Sequence, residues 1–213
     1  MNKRKIEIGV ISKPRFEFRT FGQDFSESSR LMADLSIIVP KEVRHRKSHD
    51  IYIVSHNNNI NNIKIRDGKI DIKNYIQTIQ GLEQWNSLMK AEFPISSSIL
   101  KNEVFPAFQT EMPKLAKDKY SMSEFLTMIE ENPDLQTVQV PKERFGYMVN
   151  ETICEVANVQ IDGMKIISIN SESTIVENVL KVLDDVKLSN YENINYLQGI
   201  KRIIGMVNKP LVN

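Results

Sequence analysis

One cysteine, three histidines and one tryptophan are spread through 213 residues, and no apolar run reaches membrane-spanning length. Each scarcity excludes something. The lone Cys154 has no partner for an internal disulfide, which suits a reducing, intracellular setting. His45, His49 and His56 lie in or beside polar stretches without a cysteine nearby, so no zinc-type spacing is encoded. The apolar part of "MNKRKIEIGV" is too short for a secretory signal, so a soluble, cytoplasmic protein with no membrane partner is expected. Excess charge of one sign is missing too. Lys+Arg number 28 against 27 Asp+Glu, a formal net charge of +1, so no DNA-coating surface is expected and any basic site must be local. A glycine-rich phosphate loop, an internal repeat and a low-complexity linker are all absent from the sequence.

What remains is ordinary in bulk, with 41% hydrophobic and 26% charged residues, and distinctive in its alternation. In "NNIKIRDGKIDIK" (61–73), Ile63, Ile65, Ile70 and Ile72 oppose Lys64, Arg66, Asp71 and Lys73 across an Asp67-Gly68 turn, a hairpin signature. The stretch 5–11 alternates Ile6, Ile8 and Val10 against Lys5 and Glu7. After Pro14, "RFEFRTF" sets Phe16 and Phe18 against Arg15, Glu17 and Arg19. "SIIV" (36–39) and "DIYIVS" (50–55) also read as strands, while "KEVRHRK" (41–47) reads as a basic flap or a solvated turn.

The middle of the chain mixes helix and loop signals from about residue 76. Trp85 and Met89 are spaced as helix neighbours, 96–108 reads as a helix interrupted at Pro106, and 121–133 as one capped by Ser121 or Ser123. Strands return from Val138, with Lys142 and Arg144 on one face and Asp162-Gly163 turning the chain into "MKIISINSE". There Ser168, Asn170 and Glu172 share a face. Glu151 and Glu155 share one as well if the strand is regular, and Cys154 falls opposite them as a buried thiol. Amphipathic helices are expected at 24–35, 173–186 and 196–206. The order is that of an α+β fold with antiparallel strands, a single domain over 1–213 with a mostly helical insertion at about 76–135.

The charged faces admit two readings. An antiparallel sheet with one solvated side shows the same alternation. A closed barrel with a charged interior accounts for its recurrence in both halves of the chain, and for the mixing of Arg and Lys doublets with carboxylates.

The segments "RFEFRTFG", "NNIKIRDGKIDIK", "VPKERFGYMVNETICEVANVQIDG" and "SINSES" resemble the CYTH superfamily, the triphosphate tunnel proteins. The resemblance is patchy but spans nearly the whole chain. It implies an antiparallel eight-stranded tunnel-like barrel flanked by helices. It also implies a divalent-metal-dependent phosphohydrolase of inorganic triphosphate, short polyphosphate or an organic triphosphate. The alternatives are a tunnel that binds polyphosphate or a nucleotide without cleaving it, and nucleotide cyclisation. Arg15, Arg19, Lys64, Arg66, Lys73, Lys142 and Arg144 would grip phosphate. Glu17, Glu155 and Glu172, with Asp71 and Glu151 as further candidates, would hold Mg²⁺ or Mn²⁺. The family's opening Glu-x-Glu-x-Lys becomes Arg15-Phe16-Glu17-Phe18-Arg19 here, and its late Glu-x-Glu becomes Asn170-Ser171-Glu172, so one carboxylate is missing from each.

Overall fold

The computed structural model describes residues 6–9 and 11–211. Its strands are β1 (Glu7–Ile8), β2 (Arg15–Gly22), β3 (His45–Ser55), β4 (Asn61–Arg66), β5 (Lys69–Ile79), β6 (Leu82–Glu92), β7 (Ile95–Ser96), β8 (Lys119–Tyr120), β9 (Leu135–Val149), β10 (Thr152–Ile161) and β11 (Met164–Ser173). Helices α1 (Ser26–Leu35) and α2 (Lys41–Arg44) precede β3. Between β6 and β9 lie α3 (Ser97–Ile99), a π-helical turn at Leu100–Val104, α4 (Phe105–Phe108) and α5 (Met122–Glu130). Helices α6 (Val176–Asp185) and α7 (Tyr196–Ile203) follow β11.

The strands run in the order β6-β2-β11-β10-β9-β3-β4-β5, and β5 pairs back onto β6. Every pairing is antiparallel, so the expected eight-stranded closed barrel is present. Strand β1 adds beside β6, and β7–β8 form a separate two-stranded ribbon.

Closure makes the two faces of each strand unequal, one looking into the barrel and one out to the helices. Outward residues build two cores. Ile63, Ile65, Ile70, Ile72 and Met89 pack under the helical segment through Leu100, Phe105, Phe108, Phe125 and Ile129. Phe16, Phe18, Val156 and Ile169 pack under α1 and α6, together with the buried Cys154 thiol, which burial pushes up to about 11. A third core lies inside the barrel. Phe21, Val54, Val138, Val140, Val159, Ile161 and Ile166 share the inward faces with the charged residues, and Ile194, Leu197 and Ile200 fill the space between them.

Several local expectations hold. Ser121 caps α5 through a capping box with Glu124, and Asp67-Gly68 and Asp162-Gly163 turn the chain at positive φ. Others need correction. Residues 76–92 are strand, completing β5 and forming β6 around a Gln80-Gly81 turn, so the helical segment begins only after β6. Trp85 and Met89 therefore lie on a strand. The shifted pairing that sets Ile72 opposite Met89 and Lys73 opposite Ser87 puts the two rows out of step. Trp85 consequently lines the interior, whereas Met89 packs in the outer core.

"SIIV" forms no strand; Ile37 and Ile38 are exposed, and the segment meets β9 at Met148, whose carbonyl accepts from the Ile37 amide at 3.0 Å and whose amide donates to Ser36 Oγ at 2.9 Å, without extending into a ladder. Residues 41–44 make a short helix, and His45 and His49 belong to β3. Glu151 lies exposed in the turn between β9 and β10, off the regular strand that would align it with Glu155. Lys5 and Val10, part of the N-terminal alternation, fall outside the described residues. No helix among the described residues is long and apolar enough to cross a membrane.

Candidate functional site

The charged interior is a cavity of about 210 Å³ in the barrel. Glu17 and Arg19 reach it from β2, Arg46 and Tyr52 from β3, and Asn62, Lys64 and Arg66 from β4. Asp71 and Lys73 come from β5, Trp85 from β6, Lys142 and Arg144 from β9, Glu155 from β10, and Asn170 and Glu172 from β11. Each is an alternate residue of a strand, so the period of two that separates apolar from polar positions also selects the lining. Asn195 and Tyr196 enter from the N-terminus of α7. Seven cationic and four acidic side chains share this space.

The cations are held in a linked set of ion pairs. Arg19 donates through Nε to Glu17 at 3.0 Å and through Nη1 to Ser168 Oγ at 2.8 Å. Lys64 lies 2.9 Å from Asp71, and Arg46 lies 2.7 Å from Glu155. Arg144 approaches Glu155 at 3.7 Å and donates to Ser48 Oγ at 3.1 Å. Lys73 is the loosest, 4.0 Å from Glu17. The Nε atoms of Arg46 and Arg144 are buried and have no acceptor among the described residues. Buried donors normally find one.

Asp50, fully buried behind the lining, organises a further pair. It accepts from Arg66 Nε at 2.6 Å and from Lys142 Nζ at 3.0 Å. Lys142 also donates to the Tyr52 hydroxyl at 2.8 Å and sits 3.5 Å from the centre of the Tyr196 ring. Burial works to raise the Asp50 carboxyl, but Arg66 and Lys142 outweigh it and hold it well below the usual carboxylate range. Burial dominates at Lys142 and pushes its amine well below the ordinary value, against the pull of Asp50. Lys64 is lowered the same way, with Asp71 opposing. Glu17 and Glu155 are held below the ordinary range, burial being outweighed by the arginines and lysines around them.

Glu83 behaves differently. It accepts from Asn195 Nδ2 at 2.9 Å and Trp85 Nε1 at 3.1 Å, and burial raises its carboxyl.

Ten of the twelve residues expected to bind phosphate or metal thus meet in one cavity. Two do not. Arg15 stands at the rim with its side chain 42% exposed, 3.4 Å from Glu172, and Glu151 is in its turn. The sequence reading missed Arg46, Asp50, Tyr52, Trp85, Asn195 and Tyr196. The first three were legible as the inward row Arg46, Ser48, Asp50, Tyr52 and Val54, once β3 is allowed to begin at His45. The α7 pair left no periodic signal, because it enters from a helix end.

Mg²⁺ or Mn²⁺ does not fit the carboxylates as placed. Glu17, Asp71, Glu155 and Glu172 each have an Arg or Lys within 2.7–4.0 Å. Among the described residues no group of three or more His, Cys, Asp or Glu is arranged to hold a metal ion. A larger groove of about 740 Å³, bordered by His49, Pro141, Asn158, Gln160 and Ile167, lies on the outer face of the barrel wall and gathers no comparable set of charges.

No protein-family profile matches the chain, and no curated protein matches its sequence. Solved structures that align with most of it include a candidate adenylate cyclase from Bacillus halodurans, 14% identical at a TM-score of 0.47, covering 91% of this chain and 97% of that one. A conserved hypothetical protein from Pyrococcus furiosus is 12% identical at a TM-score of 0.48, covering 85% and 98%. The mimivirus capping enzyme triphosphatase is 9% identical at a TM-score of 0.47, covering 83% and 90%.

Proposed function

We propose that the barrel binds the phosphate groups of a small molecule bearing a triphosphate or short polyphosphate. What supports this reading is the convergence, among the described residues, of seven cationic side chains on one cavity lined by four carboxylates, with Asp50 behind the lining as a fifth. Charge-assisted hydrogen bonds from Arg and Lys to phosphate oxygens are among the strongest a protein makes.

Binding is an exchange of partners. Phosphate oxygens take the unused Nε donors of Arg46 and Arg144 first, then draw Lys73 and Lys64 away from Glu17 and Asp71. Asp50 keeps Arg66 and Lys142 oriented while the ligand arrives. Arg66 and Arg19 stay charged throughout, each raised further by its carboxylate against the effect of burial.

A second reading, metal-dependent hydrolysis of the bound phosphate, draws on one observation. The register sets Glu17 directly opposite Glu172 on β11 and Glu83 on β6, a row of three carboxylates across neighbouring strands. The ion pairs now occupying Glu17 and Glu172 stand against it, and no step is assigned to a metal.

Isothermal titration calorimetry with inorganic tripolyphosphate, with and without Mn²⁺, separates the readings. A saturating isotherm in both buffers, weakening steeply with added salt, is the expected result. Sustained heat that requires Mn²⁺ would move the assignment to hydrolysis. No heat in either buffer would overturn both.

A further inference from the structure

The cavity is a blind pocket, because the barrel is stoppered at one end. Along the inward faces the residues change from charged to apolar. Glu17 and Arg19 give way to Phe21 on β2, Arg144 and Lys142 to Val140 and Val138 on β9, and Glu155 to Ala157, Val159 and Ile161 on β10. Ile194, Tyr196, Leu197 and Ile200 fill the apolar end, and the thirteen residues of this inner core are all buried.

The stopper is fastened as well as packed. Asn193 donates to the Glu17 and Gly81 carbonyls at 3.1 and 2.9 Å and accepts from the Arg19 amide at 2.9 Å. Asn195 caps α7 through Gln198 N and reaches Glu83 on β6. Gly199 lies so close to Phe21 that an added Cβ would stand 2.6 Å from the ring. The rings of Tyr196 and Tyr52 stack at 5.3 Å to form the floor, with Lys142 between them and the charged space.

Side-chain exposure grades the cations in the same direction. Lys142 is 1% exposed, Arg19 8%, Lys64 and Arg144 9%, whereas Arg66, Lys73 and Arg46 reach 28%, 30% and 40%.

We infer that the pocket recognises the end of a linear oligophosphate, which enters terminal phosphate first and stops against Tyr52, Lys142 and Tyr196. The interior of a long chain cannot thread through it. This rests on the phosphate-binding reading above. The end group is also the chemically distinct part of such a chain. It has a second ionisable oxygen and, like a phosphomonoester, carries about −1.5 to −2 charge at pH 7, where an internal phosphate carries one negative charge. The most buried cations, Lys142, Arg19, Lys64 and Arg144, are placed to meet that extra charge.

Stoichiometry tests the inference. Linear inorganic polyphosphates of increasing, narrowly defined length are titrated with the full chain and the copies bound per polyphosphate are counted by sedimentation velocity. The count is repeated with a Lys73→Met variant, so that only the affinity class this variant weakens is assigned to the pocket. A blind pocket binds at most two copies per polyphosphate at every length, one at each end, and polyphosphate with both ends blocked as phosphoramidates fails to displace tripolyphosphate. Copies that increase with length in the Lys73-sensitive class, or displacement by the end-blocked chain, would overturn it while leaving phosphate binding intact. No binding of tripolyphosphate or of any longer polyphosphate would instead overturn the underlying reading.

Discussion

Asp50 Oδ2 and Lys142 Nζ lie 3.0 Å apart on neighbouring strands, and neither side chain is more than 1% exposed. Arg66 completes the group from the other side of Asp50, so one carboxylate ties β3 to both β4 and β9.

Replacing that carboxylate by a neutral amide leaves the buried Lys142 and the half-buried Arg66 without its negative charge. Asp50→Asn is expected to destabilise the fold by about 3–5 kcal/mol, the range for breaking one side of a buried ion pair. Adding Lys142→Met should recover part of the loss. Urea unfolding of both variants measures it, and a single variant within about 0.5 kcal/mol of the parent would mean that the group contributes nothing.

Acid should unfold the protein through the same carboxylates. Asp50, Glu17, Asp71 and Glu155 all have folded pKa values below their unfolded ones. Their stabilisation is therefore complete above the unfolded values near pH 4 and is lost as pH falls further. Thermal melts taken from about pH 5 downward should show a steep fall that is shallower in Asp50→Asn. Identical slopes would contradict the assignment to Asp50.

Lys73 offers binding without much stability. Its nearest carboxylate is 4.0 Å away and its side chain is 30% exposed. Lys73→Met should change stability by less than about 0.5 kcal/mol, yet weaken tripolyphosphate binding about tenfold, as losing one hydrogen bond to a charged group does. Unchanged affinity by calorimetry would remove Lys73 from the site.

Gly199 tests the stopper. Gly199→Ala forces a methyl group against Phe21 and should cost about 1–3 kcal/mol, as overpacking of a filled core does. The comparison is with Ser121→Ala, which removes a helix cap far from the barrel interior and should cost about 1 kcal/mol without altering tripolyphosphate affinity. A neutral Gly199→Ala would mean that α7 sits more loosely than the contact implies.

How much of this could be read in the sequence follows from how local each signal is. The alternations around Glu17, Lys64, Arg144 and Glu172 survive because a strand repeats every two residues, whatever it packs against. Asp67-Gly68 and Asp162-Gly163 were legible because Asp-Gly favours the positive φ that both turns use. Gln80-Gly81 adopts the same conformation, with φ of 51° and 79°, but Gln is an uncommon first residue there, so the β5–β6 hairpin passed as helix and loop. Asp50 was missed because the strand was cut at its own position, hiding its place in the inward row. "SIIV" has strand composition, but it meets β9 at Met148 without forming a ladder, and no local pattern reports how far a contact with a distant strand extends. Tyr196 and Asn195 depend on where a distant helix docks, which lies beyond any window of neighbouring residues.

The stopper also has a consequence in time. Residues 193–200 follow every strand of the barrel in the sequence, so a ribosome delivers the whole wall before the piece that seals it. In the folded chain Phe21, Val138, Val140, Val159 and Ile161 share one core with Ile194, Leu197 and Ile200, so the cover of that end is the part made last.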